Sequence, residues 1–122
     1  MPQFYTPQRS IQFPQSTVET DTATTSVIAL PVANTPVVVV PDSTDGSRTG
    51  FMITNRENNS VIQFCYGVLG SDAAPAADAP WMNLEPGESF NEDKPVKTRL
   101  WAKCSAVAAI GVGVLSYARP VN

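Results

Sequence analysis

Eleven Asp and Glu residues, two cysteines and no histidine bound the chemistry open to this chain. Without imidazole there is no side chain that titrates unperturbed near neutral pH, and no Ser–His or Cys–His nucleophile pair. Cys65 and Cys104 cannot by themselves complete a four-ligand zinc site. Carboxylate-pair chemistry stays formally open at Glu85, Glu88, Glu92 and Asp93, which crowd around the Pro86-Gly87 corner. A proline turn is also where solvated carboxylates are ordinary. Asp42-Ser43-Thr44-Asp45-Gly46 has the outline of a calcium loop but lacks its third acidic position and the distal bidentate glutamate. Asp side chains capping a plain turn account for it as well. No glycine-rich phosphate loop is present. The expectation is therefore a protein without catalytic residues, metal or cofactor.

Aromatic residues offer a different chemistry. Trp81, Trp101, Tyr66 and Tyr117 would make a sugar-stacking platform if they lay together and exposed, whereas in a small domain such residues normally form core. In the strand around Arg99–Cys104, alternation sets Trp101 with Arg99 and Lys103, opposite Leu100 and Ala102. An outward Trp flanked by cations is a candidate interface anchor, so Arg99, Trp101 and Lys103 are expected as a contact patch.

Those residues need elements to hold them. From Thr25 the chain is dense in strand signals: Thr25 to Leu30, Pro36 to Val40, Gly50 to Asn55, Val61 to Tyr66, Trp81 to Leu84, Ser89 to Asn91, Thr98 to Cys104 and Ile110 to Ala118. Val37–Val40 is β-branched throughout and is expected to be covered on both faces. Gly50–Asn55 and Val61–Tyr66, separated by a five-residue turn at 56–60, are expected to pair as a hairpin, with Ile62, Phe64 and Tyr66 on one face. Gly67–Pro80 is an Ala-, Asp- and Pro-rich loop, long enough to be mobile or functional. No segment has helical periodicity. The fold class that follows is all-β: a two-sheet antiparallel β-sandwich, jelly-roll-like, over residues 25–122.

Residues 1–24 differ from the rest. They carry Pro2, Pro7 and Pro14 and no glycine, so neither a helix nor a central strand suits them. Yet Phe4, Tyr5, Ile11, Phe13 and Val18 stud the segment with apolar groups. It reads as an extended N-terminal arm that, drawn out, would span about 80 Å at about 3.3 Å per residue. Phe4, Tyr5, Ile11 and Phe13 are its expected partner-binding anchors.

Composition points the same way. Charged residues make up 16% of the chain, against about 25% in ordinary soluble domains, which suits a domain that shares its surface with neighbours. Net charge is −3 and the eight Lys and Arg form no basic stripe, so nucleic acid is not an expected partner. The order of Glu85, Glu88, Glu92 and Asp93 before Lys94, Lys97, Arg99 and Lys103 fits either complementary docking between subunits or an edge strand guarded by lysines. No apolar run is long enough to span a membrane. The opening residues do not read as a secretion signal, and free buried thiols are expected for synthesis in a reducing cytoplasm.

Residues 48 to 118 resemble a small β-sandwich module of tailed-bacteriophage structural proteins. The likeness rests on FMITNREN, VIQFCYG, the turn WMNLEPGESF, and the pair RLWAKCS and AIGVGVLSYA, in that order. Leu84-x-Pro86-Gly87-Glu88 followed by Leu100-Trp101-Ala102 is its most distinctive part. The resemblance implies a non-enzymatic virion protein serving as a capsid decoration protein, a fibre-attachment domain or a tail component, without choosing among them. The apolar-studded arm tips the expectation to a decoration or cement protein on the capsid exterior, bound to the major capsid protein, with homo-oligomers such as trimers in keeping. A tail, neck or fibre-base component is the alternative within that setting, and a carbohydrate-recognition module for host attachment the alternative outside it.

Overall fold

The computed structural model describes residues 21–119. Eight strands follow one another: β1 (Thr22–Leu30), β2 (Val37–Val40), β3 (Arg48–Asn55), β4 (Ile62–Tyr66), β5 (Met82–Leu84), β6 (Ser89–Glu92), β7 (Leu100–Cys104) and β8 (Ala108–Ala118). They form two four-stranded sheets, β1-β8-β3-β6 and β2-β7-β4-β5, and every pairing is antiparallel. The order follows one rule. β1 pairs with β8, β2 with β7, β3 with β6 and β4 with β5, as in a long antiparallel ribbon folded at its middle and rolled so that alternate pairs fall in opposite sheets. This is the jelly roll that the strand count suggested.

The roll corrects one expectation. β3 and β4 do not form a hairpin, because β3 lies between β8 and β6 in one sheet while β4 lies between β7 and β5 in the other. Residues 56–60 instead cross from sheet to sheet, a step of about 10 Å. Asn55 fixes the crossing. Fully buried, it donates from Nδ2 to Ser60 O (2.8 Å) and Leu84 O (2.8 Å) and accepts from Glu57 N (2.8 Å). One side chain thereby ties β3 to β5 across the sandwich.

Alternation still assigns the faces correctly. Phe51 and Ile53 of β3, Val112 and Val114 of β8 and Leu30 of β1 meet Ile62 and Phe64 of β4 and Leu100, Ala102 and Cys104 of β7 in one core. Phe90 bridges the layers, its ring centroid 4.8 Å from that of Phe64 and 6.3 Å from that of Phe51. Tyr66 joins from the opposite sheet, edge-on to Phe51 at 6.3 Å. Val39 and Val40 are buried and Val37 and Val38 half-buried, so the valine run is covered more completely toward its C-terminal end. Cys65 and Cys104 are free and buried. β1 starts at Thr22, so Thr22, Ala23 and Thr24, expected in the arm, pair instead with Ala118, Tyr117 and Ser116. Phe4, Tyr5, Ile11 and Phe13 lie outside the described residues.

Candidate docking face

The two ends of the sandwich are built differently. At one end the links 41–47, 67–81 and 93–99 converge on Asp42 and Arg99. Asp42 accepts from the Arg99 backbone N–H (2.9 Å), Nε (3.3 Å) and Nη2 (2.8 Å), and from Gly70 N (2.9 Å). Arg99 also reaches Asp72 at 3.1 Å. The Arg99 guanidinium, assisted by the Gly70 N–H, holds the Asp42 carboxyl down at about 2, and Asp42 in turn raises the Arg99 pKa. Beneath this clasp Arg48 is buried and donates to Pro41 O, to Val96 O (2.7 Å) and to Thr98 O (3.1 Å). Burial lowers its pKa, and its guanidinium carbon lies 5.5 Å from the Phe51 ring centre. Tyr66 donates to Glu92 Oε1 (2.6 Å), and its phenol is pushed up by burial first and by that bond second. The Arg48 Nη groups, held by backbone carbonyls, and the Arg99–Asp42 pair close this end of the roll, although Arg48 Nε is buried without a partner.

At the other end Glu57 accepts from the N–H groups of Ile110 (2.8 Å) and Gly111 (2.7 Å). These bonds pin a bulge in β8 opposite the register shift between Ile28 and Leu30. Gly111 has φ 73° there, and a side-chain carbon on it would stand 2.0 Å from Ile28 O. Only glycine fits.

The expected contact patch is placed on the outer side of the sheet holding β7, as alternation requires, but the chain itself occupies it. Trp101 is 8% exposed and thus not the open anchor expected. Gly67 lies against its indole, so closely that a side-chain carbon on Gly67 would meet Trp101 Nε1 at 2.5 Å. Arg99 is engaged by Asp42 and Asp72, and the Lys103 ammonium lies 4.3 Å from the Trp81 ring centre. Trp81 also donates to Ala76 O (2.8 Å), which fastens the long loop to the sheet. The sugar platform does not assemble: Tyr66 packs inward, Tyr117 belongs to the other sheet, and Trp101 is covered.

Exposed apolar residues are scattered over the loops, at Val32, Val68, Leu69 and Val107, but an apolar groove lies on the outer side of the first sheet. The register sets Val27, Gly113 and Thr54 in one row across β1, β8 and β3, and Thr25, Leu115 and Met52 in the next. These rows line a groove of about 290 Å³, bounded at one end by Arg56. Val27 is 54% exposed and Tyr117, one row beyond Leu115, 37%. Met52 also borders a second, polar hollow of about 400 Å³ lined by Asp21, Thr49, Asn91, Glu92, Asp93 and Tyr117. There Asp21 receives the Thr49 hydroxyl at 2.5 Å and Arg119 Nε at 3.2 Å. The Thr49 bond, with Arg119 adding to it, lowers the Asp21 pKa against the opposing effect of burial. The face carries apolar side chains with a polar margin, and it is continuous with the start of β1 at Thr22.

Sequence reasoning missed this face because it sought charged or aromatic anchors. The signal was in AIGVGVLSYA, where apolar residues fall on both alternating faces while a single side of the strand is needed for core. Among the described residues no group of three or more Cys, Asp and Glu side chains is arranged to hold a metal ion, and no helix is long and apolar enough to cross a membrane. No protein-family model, curated protein or solved structure matches the chain.

Proposed function

We propose that this protein is a non-enzymatic structural component of a tailed-phage particle, and specifically a decoration or cement protein seated on the outside of the capsid. The observation that carries the reading is the apolar outer face of the β1-β8-β3-β6 sheet, with Val27 and Tyr117 exposed on it. A sandwich needs one inner face per sheet for its core; a second apolar face is in excess of what folding requires and suits contact with another protein. The low charge content and the sequence resemblance support the same reading. The jelly roll permits it without selecting it, since the same fold serves lectins and enzymes.

In this account the sandwich rests on major capsid protein and the apolar arm of residues 1–20 extends the contact. A domain already seated presents its tethered arm at high local concentration, so modest arm contacts add up to durable attachment. The test is binding of full-length chain and of a chain beginning at Asp21 to particles stripped of the protein. The shortened chain keeps all of β1 and is expected to fold with an unchanged melting temperature while leaving the particle at least about tenfold faster. Equal retention of both forms would refute the arm's part in attachment.

A further inference from the structure

We infer that the outer edge of β1 pairs antiparallel with the same edge of a second copy of this chain, joining two sandwiches across a two-fold axis. The inference concerns self-association and stands apart from the capsid reading.

Each sheet of a sandwich has two edge strands, whose unpaired backbone N–H and C=O groups another strand can take up. The edges here are β1 and β6 of one sheet and β2 and β5 of the other. Three of them are guarded. β2 has four residues, set between Pro36 and Pro41, and β5 has three, set between Pro80 and Pro86. β6 has four, ends on Glu92 and is flanked by Glu88, Asp93 and Lys94. β1 has nine residues with no proline, glycine or charged side chain, and Thr22, Thr24, Thr25, Val27 and Ile28 among them are β-branched. All but Ile28 and Leu30 are exposed. Among the described residues no strand lies against the outer edge of β1. A long, uncharged, unguarded edge is a template for strand addition.

The occupant follows from what such an edge matches. The ladder between β1 and β8 is regular from Thr22 to Ile28 and shifts only beyond it. A second β1 laid antiparallel on that stretch centres on Thr25. Thr25 then faces the partner's Thr25, Thr24 faces the partner's Ser26, and Val27 faces the partner's Ala23. Thr–Thr and Thr–Ser pairs exchange hydroxyl hydrogen bonds, and Val27 gains a small apolar neighbour in place of water. No charge meets a like charge. The chain's own residues 1–20 match the edge less well, because Pro2, Pro7 and Pro14 each withhold a donor from a ladder. With β2, β5 and β6 guarded, β1 itself is the edge that a second copy can offer. An edge paired with itself closes after two copies, so the product is a dimer rather than a trimer, with one sheet continuous across both.

The test uses purified full-length chain without particles. Wild type should sediment as a monomer–dimer equilibrium. Thr25 is exposed, so Thr25→Lys and Thr25→Glu should keep the wild-type circular dichroism. Each should weaken the dimer about tenfold or more, because it sets like charges directly opposite one another. Mixing the two variants should restore the dimer, a rescue that requires position 25 to face itself. Independently, Thr25→Cys should oxidise to a two-chain disulfide, since facing strand residues stand about 4.5–5.5 Å apart, within disulfide reach. Native Cys65 and Cys104 are buried and do not compete. Lys94→Cys, exposed just after the opposite edge strand β6, gives the rate of chance encounter. Cross-linking of Thr25→Cys no faster than that, a wild-type chain that stays monomeric or forms trimers, or charge variants that stay monomeric when mixed would each overturn the proposal. So would a full-length monomer whose shortened form, beginning at Asp21, dimerises, because residues 1–20 would then hold the edge themselves.

Discussion

Single residues in this protein mostly close the roll, and Asp42 is the clearest case. Its carboxylate collects two backbone N–H groups and the Arg99 guanidinium, joining links that are distant in sequence. The folded-state pKa of about 2 lies below the ordinary 3.8, so the carboxylate binds protons less readily in the folded chain than in the unfolded one. Its contribution to stability is therefore complete above about pH 4 and is lost as pH falls through about 2. Asp42→Asn should lower the melting temperature by several degrees at pH 7, and the gap to wild type should shrink steadily between about pH 4 and pH 2. Thermal melts of the two proteins across that range measure it; a gap independent of pH would mean that Asp42 acts by packing alone. Arg99, Trp101 and Lys103 carry the complementary lesson. Residue type marked them as interface chemistry, while the partners that occupy them come from Asp42, Gly67 and Trp81, far away in sequence. No pattern within one strand reveals such partners.

At the scale of elements, alternation made strands and faces legible. Phe51 and Ile53, or Ile62 and Phe64, announce a buried face because every second residue must be apolar there. Pairing was not legible for the same reason: alternation says which way a side chain points and nothing about which strand lies alongside. The five residues at 56–60 serve a sheet-to-sheet crossing as readily as a hairpin, and the determinant, the buried amide of Asn55, looks in sequence like any turn asparagine. The bulge in β8 was equally hidden, since Gly111 and Gly113 look alike in the run IGVGV. The structure separates them. Gly111→Ala combines a left-handed backbone with a collision on Ile28 O and should cost more than about 2 kcal/mol. Gly113→Ala should be neutral or stabilising by up to about 1 kcal/mol, because alanine suits a strand interior better than glycine. Denaturant unfolding of both variants decides it, and equal losses would mean that the two glycines have the same structural role.

For the molecule as a whole, the sandwich class and the sheet faces were readable in advance, whereas the apolar groove emerged only when the register brought β1, β8 and β3 together. One sheet then has an outer side occupied by its own loop and cations, with Trp101 covered and Trp81 half-buried against Lys103. The other has an outer side left apolar and open, next to the start of β1. That asymmetry is what a domain needs in order to sit on a surface in one orientation. The central claim, attachment to a capsid lattice, is tested most directly by counting this chain against the major shell protein in particles purified from its natural source, using quantitative peptide mass spectrometry. Hundreds of copies per particle is the predicted result, because a cement protein repeats with the lattice. A few dozen or fewer would place the chain in the tail, neck or fibre base instead, and its absence from the particle would contradict the account.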